Sequence, residues 1–122
     1  TFKSLLIASR DGIYELHIRG VIDGTTVLAF REVMFSAIGR QPRVLRLMLN
    51  EIIDISDVGI SNLVTTARVA AMMQVGIEVV AMGHVQDMLS TSGLLDLIQH
   101  PALTFTSPVH ESVDLVPLRR AA

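Results

Sequence analysis

Asp54-Ile55-Ser56-Asp57-Val58-Gly59-Ile60 is the stretch on which the reading of this chain turns. Before it, Val44-Leu45-Arg46-Leu47-Met48-Leu49 is almost wholly apolar and of strand length, the pattern of a central strand buried on both sides. After it, Ile60, Leu63, Val64, Ala67, Ala71 and Val75 recur at helical spacing and predict a helix over Gly59 to Val75. A strand passing directly into a helix gathers unpaired backbone N–H groups and the positive end of the helix dipole at one point. Such a junction suits an anion, a phosphoryl group or a partner's carboxylate. Ser56 and Asp57 are both suited to cap the helix, and Gly59 lets the turn close.

Toward the N-terminus, Leu5 to Ala8 reads as a strand and Arg10-Asp11-Gly12 as a tight turn. Tyr14, Leu16 and Ile18 then alternate with Glu15, His17 and Arg19, which predicts a strand with one covered face and the three polar residues on the other. A loop through Gly20-Val21-Ile22-Asp23-Gly24 leads to a helix over Val27 to Ile38, with Asp23 or Thr25 as its cap and Gly39 and Pro42 as its end.

Toward the C-terminus, Ile77 to Ala81 is the next strand. Gly83-His84 opens a short helix with Val85, Met88 and Leu89 inward, closed at Gly93. A helical turn at Leu94 to Ile98, a last strand at Leu103 to Phe105 and a terminal helix from Ser107-Pro108 to about Leu118 complete the order. Strands alternating with helices predict a single α/β domain over residues 1–122: a mostly parallel central sheet with an N-terminal antiparallel hairpin, and helices packed on it. The loops after the second and third strands then emerge at the same end of the sheet, where parallel α/β sheets bind.

Composition narrows the function classes. Half of the 122 residues are hydrophobic, 18% are charged and the net charge is −2, so the chain is globular and lacks the basic surplus that nucleic acid requires. No cysteine is present, which removes disulfides, thiolate metal sites and a cysteine nucleophile, and fits a cytoplasmic protein. The start shows no signal-peptide pattern, and Thr1 is not an initiator methionine, which is consistent with trimming. The most apolar long window, Val64 to Gly83, is interrupted by Arg68, Gln74, Gly76 and Glu78, so no direct membrane insertion is expected.

Catalytic candidates fare poorly. His17, His84, His100 and His110 show no metal-ligand spacing, and no cofactor is expected. Ser56 is not in a Gly-x-Ser-x-Gly elbow, residues 20–24 lack the spacing and the lysine of a phosphate-binding loop, and Asp54 and Asp57 have no evident acid–base partner. No residue is assigned to catalysis.

Several pieces, in order, resemble the STAS domain, the family of bacterial anti-sigma-factor antagonists and of the cytoplasmic domains of sulfate-type transporters. They are the hairpin ending at Gly20-Val21-Ile22-Asp23, the strand leading into Ser56-Asp57-Val58-Gly59-Ile60, Gly76 before the next strand, and Leu89-Ser90-Thr91-Ser92-Gly93-Leu94. The resemblance runs from about Leu5 to Val113. It implies a regulatory module that docks an anti-sigma factor or switch-kinase-like protein, not an enzyme. Antagonists of the family carry Asp-Ser-Ser-Gly or Asp-Ser-Thr-Gly at the corner, with the hydroxyl residue before the glycine as phosphate acceptor. Those positions fall on Ser56, Asp57, Val58 and Gly59; in a register slipped by one residue, valine still stands before the glycine. Val58 has no hydroxyl, so the usual phosphoswitch is absent there, leaving Ser56 and Ser61 as the nearby acceptors. Asp57 carries one charge and mimics a phosphoryl group poorly, which favours a capping role.

The partner-binding residues implied are Asp23, Gly24, Ser56, Asp57, Val58, Gly59 and Ile60. Met72 and Met73 either fill the core or extend an apolar patch. Two alternative readings stand beside docking: a scaffold, homo-oligomer or accessory subunit in a stressosome-like complex or transporter, and a small-ligand or nucleotide sensor at the helix start.

Overall fold

The computed structural model describes residues 2–9, 11–91 and the backbone of 103–106. Eight elements follow in order: β1 (Phe2–Ala8), β2 (Ile13–Ile22), α1 (Val27–Gly39), β3 (Val44–Ile55), α2 (Asp57–Met72), β4 (Gly76–Val80), α3 (Gly83–Thr91) and β5 (Leu103–Thr106). They form one five-stranded sheet in the order β1-β2-β3-β4-β5. β1 pairs antiparallel with β2, and β2–β3, β3–β4 and β4–β5 are parallel, as the alternation of strand and helix patterns predicts. The closure at Gly93, the turn at Leu94 to Ile98, the terminal helix, His100 and His110 lie outside the described residues.

One sheet face carries the main core. Leu16, Ile18 and Ile22 from β2, Leu45, Leu47 and Leu49 from β3, and Ile77 and Val79 from β4 meet Phe30, Met34, Ala37 and Ile38 of α1, Leu63 and Ala70 of α2, and Val85 and Leu89 of α3. The buried face of α2 is rotated from the expected one. The helix begins at Asp57, two residues earlier than predicted, and its buried stripe is Gly59, Leu63, Thr66, Ala67 and Ala70, while Ala71 is exposed. Thr66 is tolerated inside because its hydroxyl donates to the carbonyls of Asn62 and Leu63, both at 3.0 Å.

β3 is twice the predicted length and runs into the stretch quoted first. It keeps its apolar side chains inward by breaking strict alternation. After Leu45, Leu47 and Leu49 the buried positions are Ile52 and Ile55, spaced by three. The register against β2 shifts between His17 and Arg19 and again between Gly20 and Val21, each time leaving an extra residue on β3. Each extra residue reverses the facing of all that follow. Ile53 is one of these extra residues and stands 74% exposed.

The second face of the sheet is not the plain polar face expected for β2. Glu15 is completely buried. The register lines up Glu15, Arg46 and Glu78 across three strands. Arg46 Nη1 lies 3.0 Å from Glu15 Oε2, and Arg46 Nε lies 2.6 Å from Glu78 Oε1. His17 Nε2 sits 3.0 Å from the other Glu15 oxygen. Alternation alone does not distinguish a solvated glutamate from one held by an arginine on the neighbouring strand, and the pairing across β2 and β3 supplies that arginine here. Ile7, Met48 and Val80 are also buried, outside the main core cluster.

Candidate functional site

β2, β3 and β4 run parallel, so their C-terminal ends, and the helix starts that follow, lie together at one end of the sheet. Three junctions meet there: Asp23 to Thr26 before α1, Ser56 before α2, and Ala81-Met82 before α3. The backbone joins the first two directly, because Ser56 N–H donates to the carbonyl of Ile22 at 2.8 Å.

The β3–α2 junction contains almost no loop. Ser56 is the N-cap, in extended conformation (φ −85°, ψ 172°), and its Oγ accepts a long 3.5 Å bond from Gly59 N–H. Ser56, not Asp57, therefore caps the helix; Asp57 is the first helical residue, exposed, with its charge beside the positive end of the dipole. Gly59 is buried, and a Cβ there would lie 2.7 Å from Ile22 Cγ2, 2.8 Å from Ile55 Cγ1 and 3.2 Å from the Ile22 carbonyl oxygen. A glycine is required because the helix backbone rests directly on the ends of β2 and β3.

The candidate residues consequently divide by exposure. Asp57 and Val58 face solvent, Val58 at 46%; Ser56 and Ile60 are half-buried, Ile60 packing on the core; Gly59 supports them from below. Ser61 is exposed one helical turn beyond Asp57. Asp54 points outward from the end of β3. One of its oxygens accepts from Ile55 N–H at 2.9 Å and lies 3.4 Å from His84 Nε2, both side chains being more than half exposed.

The neighbouring β2–α1 loop is held by hydrogen bonds instead. Asp23 Oδ1 accepts from the N–H and the hydroxyl of Thr25 at 2.9 and 2.7 Å. Thr26 Oγ1 donates to the carbonyl of Val21 at 2.7 Å and accepts from Asp23 N–H at 2.9 Å. These bonds, Thr25's hydroxyl first, hold the Asp23 carboxyl below the ordinary aspartate value of 3.8. Neither Asp23 nor Thr25 is the N-cap of α1: that position is Thr26, whose hydroxyl is spent on the loop and not on the helix. Asp23 is half-buried and Gly24 exposed, beside the α2 corner.

Two further residues stand at this end. Met82, 53% exposed, and His84 reach this end only because β4 is parallel to β3. Met72 and Met73 are 81% and 39% exposed, so they do not fill the core. They lie at the opposite end of α2, about 24 Å from Asp57 along a 16-residue helix, and add nothing to the corner. No lysine or arginine occurs in residues 20–27, 53–61 or 81–85, so the three junctions present a face that is apolar and acidic. Among the described residues no cluster of three metal-ligating side chains occurs, and no helix is long and apolar enough to cross a membrane.

No family model matches this chain, and no curated protein matches it in sequence. Solved structures do match. An anti-sigma factor antagonist from Mycobacterium paratuberculosis superposes with a TM-score of 0.70 at 22% identity, over 98% of this chain and 95% of that one. The anti-sigma factor antagonist SpoIIAA in its unphosphorylated form gives 0.62 at 11% identity, over 94% and 98%. SpoIIAA, a Bacillus cell fate determinant, in its phosphorylated form gives 0.64 at 14% identity, over 93% and 99%. At these identities the likeness establishes the fold: the chain has the STAS architecture of anti-sigma factor antagonists.

Proposed function

We propose that this domain is a non-catalytic regulatory module that docks an anti-sigma factor, or a protein of switch-kinase type, through the β3–α2 corner and the adjoining Asp23-Gly24 loop. The observation that carries the reading is Val58. It stands 46% exposed on the first turn of α2, at the position where the resemblance places a phosphate-accepting hydroxyl. A phosphoryl group there would bring nearly two negative charges and three acceptor oxygens into the contact and break it. Valine can bring neither, so docking is constitutive with respect to that position. Of the two nearby hydroxyls, Ser56 already serves the helix start, and Ser61 lies one helical turn beyond Asp57, outside the first turn of α2. The short side chains, exposed valine and absence of charge on Val58 suit a contact buried on association, and the acidic neighbours Asp54 and Asp57 suit its rim.

The rest of the reading follows from the same face. The carboxylate–imidazole contact there, Asp54 to His84, is more than half exposed on both sides, and the module acts by occupying its partner, in the cytoplasm. The test is a calorimetric titration of the purified domain with an anti-sigma factor encoded in the same genome. Wild type binds it with one-to-one stoichiometry, and Val58→Glu, an exposed substitution that leaves the fold intact, weakens binding by about tenfold or more. Undiminished binding by Val58→Glu would place the contact elsewhere.

A further inference from the structure

Beside the corner, between α2 and α3, runs an open groove of about 590 Å³. Ile60, Val64 and Met88 form its floor, each only partly buried against the core behind it. Asp57 stands at one end and Arg68 at the other, with Thr65 on the rim between them. Both charged side chains are exposed, and among the described residues neither has an ion-pair partner.

The spacing of these charges is informative. Arg68 is the eleventh position after Asp57, and three turns of α-helix take about 10.8 residues, so the two lie on one line along α2, roughly 16 Å apart. A small-molecule site needs polar groups that converge on one point. Here the two charges stand apart at the ends of a mixed lining, apolar at Ile60, Val64 and Met88 and hydroxyl-bearing at Ser61, Thr65 and Thr91, which suits an elongated amphipathic helix better than a compact ligand. The charges also fix its direction. A helix is stabilised by acidic residues in its first turn and basic residues in its last. Those charges meet Arg68 and Asp57 respectively only when the helix lies antiparallel to α2.

We propose that the α2–α3 groove seats an amphipathic helix of the docking partner, antiparallel to α2, with its acidic first turn on Arg68 and its basic last turn on Asp57. This rests on the docking role assigned above and adds to it the chemistry of the partner segment. Contact with the corner alone would leave Val64, Arg68 and Met88 outside the interface; a seated helix covers them.

The test uses two synthetic peptides of about 16 residues, long enough for the three turns between the charges. Both are acetylated and amidated to remove terminal charge and carry the same leucine stripe. One has glutamates in the first turn and lysines in the last; the other has them exchanged. Binding is read by fluorescence anisotropy at low salt, on wild type and on the exposed double variant Asp57→Lys/Arg68→Glu. Between the two proteins the preference for the first peptide over the second shifts by about tenfold or more, a ratio in which the peptides' own helicities cancel. Thr65→Trp, which fills the rim, weakens both peptides. An unchanged preference in the double variant, or binding of neither peptide, overturns the proposal.

Failure of the groove and failure of the docking role are separable. If an anti-sigma factor binds wild type, is lost on Val58→Glu, and binds Arg68→Glu and Thr65→Trp as well as wild type, the corner stands and the groove is overturned. If no anti-sigma factor binds while the peptides discriminate as described, the groove stands and the assigned role is wrong.

Discussion

Two strand-to-helix junctions lie side by side at the end of this sheet, and they are built on different physics. The β2–α1 loop has residues to spare and closes on itself through a web of hydrogen bonds from Asp23, Thr25 and Thr26. The β3–α2 corner has none to spare. It is fixed by contact: Gly59 presses the helix onto Ile22 and Ile55, and Ser56 N–H ties β3 to the end of β2. A junction set by packing leaves its outward side chains free of structural duty. That is why, among the described residues, Asp57 and Val58 project without hydrogen bonds to other elements, while most polar groups of the neighbouring loop are consumed in holding it. The difference is the reason the proposed docking surface centres on the corner, with the Asp23-Gly24 loop as its more rigid flank.

The comparison can be broken most sharply at Gly59. Replacing it with valine introduces a Cβ where heavy atoms already lie at 2.7 and 2.8 Å, together with a backbone oxygen at 3.2 Å that cannot rotate away. Gain of helix propensity is at most about 1 kcal/mol. Overpacking of this kind costs about 3 kcal/mol, so the steric term wins and Gly59→Val lowers urea-unfolding stability by about 2 kcal/mol or more. A neutral result would mean that the helix does not rest on the strands.

At the loop, the counterpart is Thr26→Val. The change preserves shape, removes the donor to the Val21 carbonyl and leaves Asp23 N–H unpartnered. A loss of about 1–2 kcal/mol is expected, the usual range for an orphaned, part-buried group. Partner affinity, measured in parallel, changes less than for substitutions at Val58.

The smallest effect is the acid limb of stability. Asp23 has a lowered carboxyl value because hydrogen bonds from Thr25 and Thr26 favour its ionised form. A group whose folded value is lowered contributes stability that is present above its ordinary value, 3.8, and lost as pH falls through the folded one. Wild type therefore loses stability relative to Asp23→Asn as pH drops below about 3.8, and the two differ by a constant amount above about pH 5. Parallel curves throughout would mean that the loop's hydrogen bonds do not favour the carboxylate.

Much of the fold was legible because local pattern and tertiary environment agree. Tyr14, Leu16 and Ile18 alternate, Phe30, Met34 and Ala37 keep helical spacing, and Asp11-Gly12 turns the hairpin, with Gly12 at φ +78°. What could not be read depends on partners distant in sequence. Glu15 looks solvated until register places Arg46 beside it, 31 residues away. Ile53 looks like its neighbours Ile52 and Ile55 until two shifts against β2 turn it outward.

The candidate site divides the same way. The junction itself and the missing hydroxyl at Val58 are visible in the chain. The choice of Ser56 over Asp57 as cap is not, since both residue types cap well and only backbone geometry separates them. The placement of Met82 and His84 follows from the parallel β4 that the alternation predicts; their exposure does not.

The central claim is that docking at this corner is not switched off by phosphorylation. The direct measurement is the affinity of the domain for an anti-sigma factor encoded in the same genome, before and after incubation with a switch kinase and ATP, with phosphate mapped by mass spectrometry. The expected result is unchanged affinity with no phosphate on Ser56 or Ser61. Stoichiometric phosphate on Ser56 accompanied by loss of binding would contradict the account.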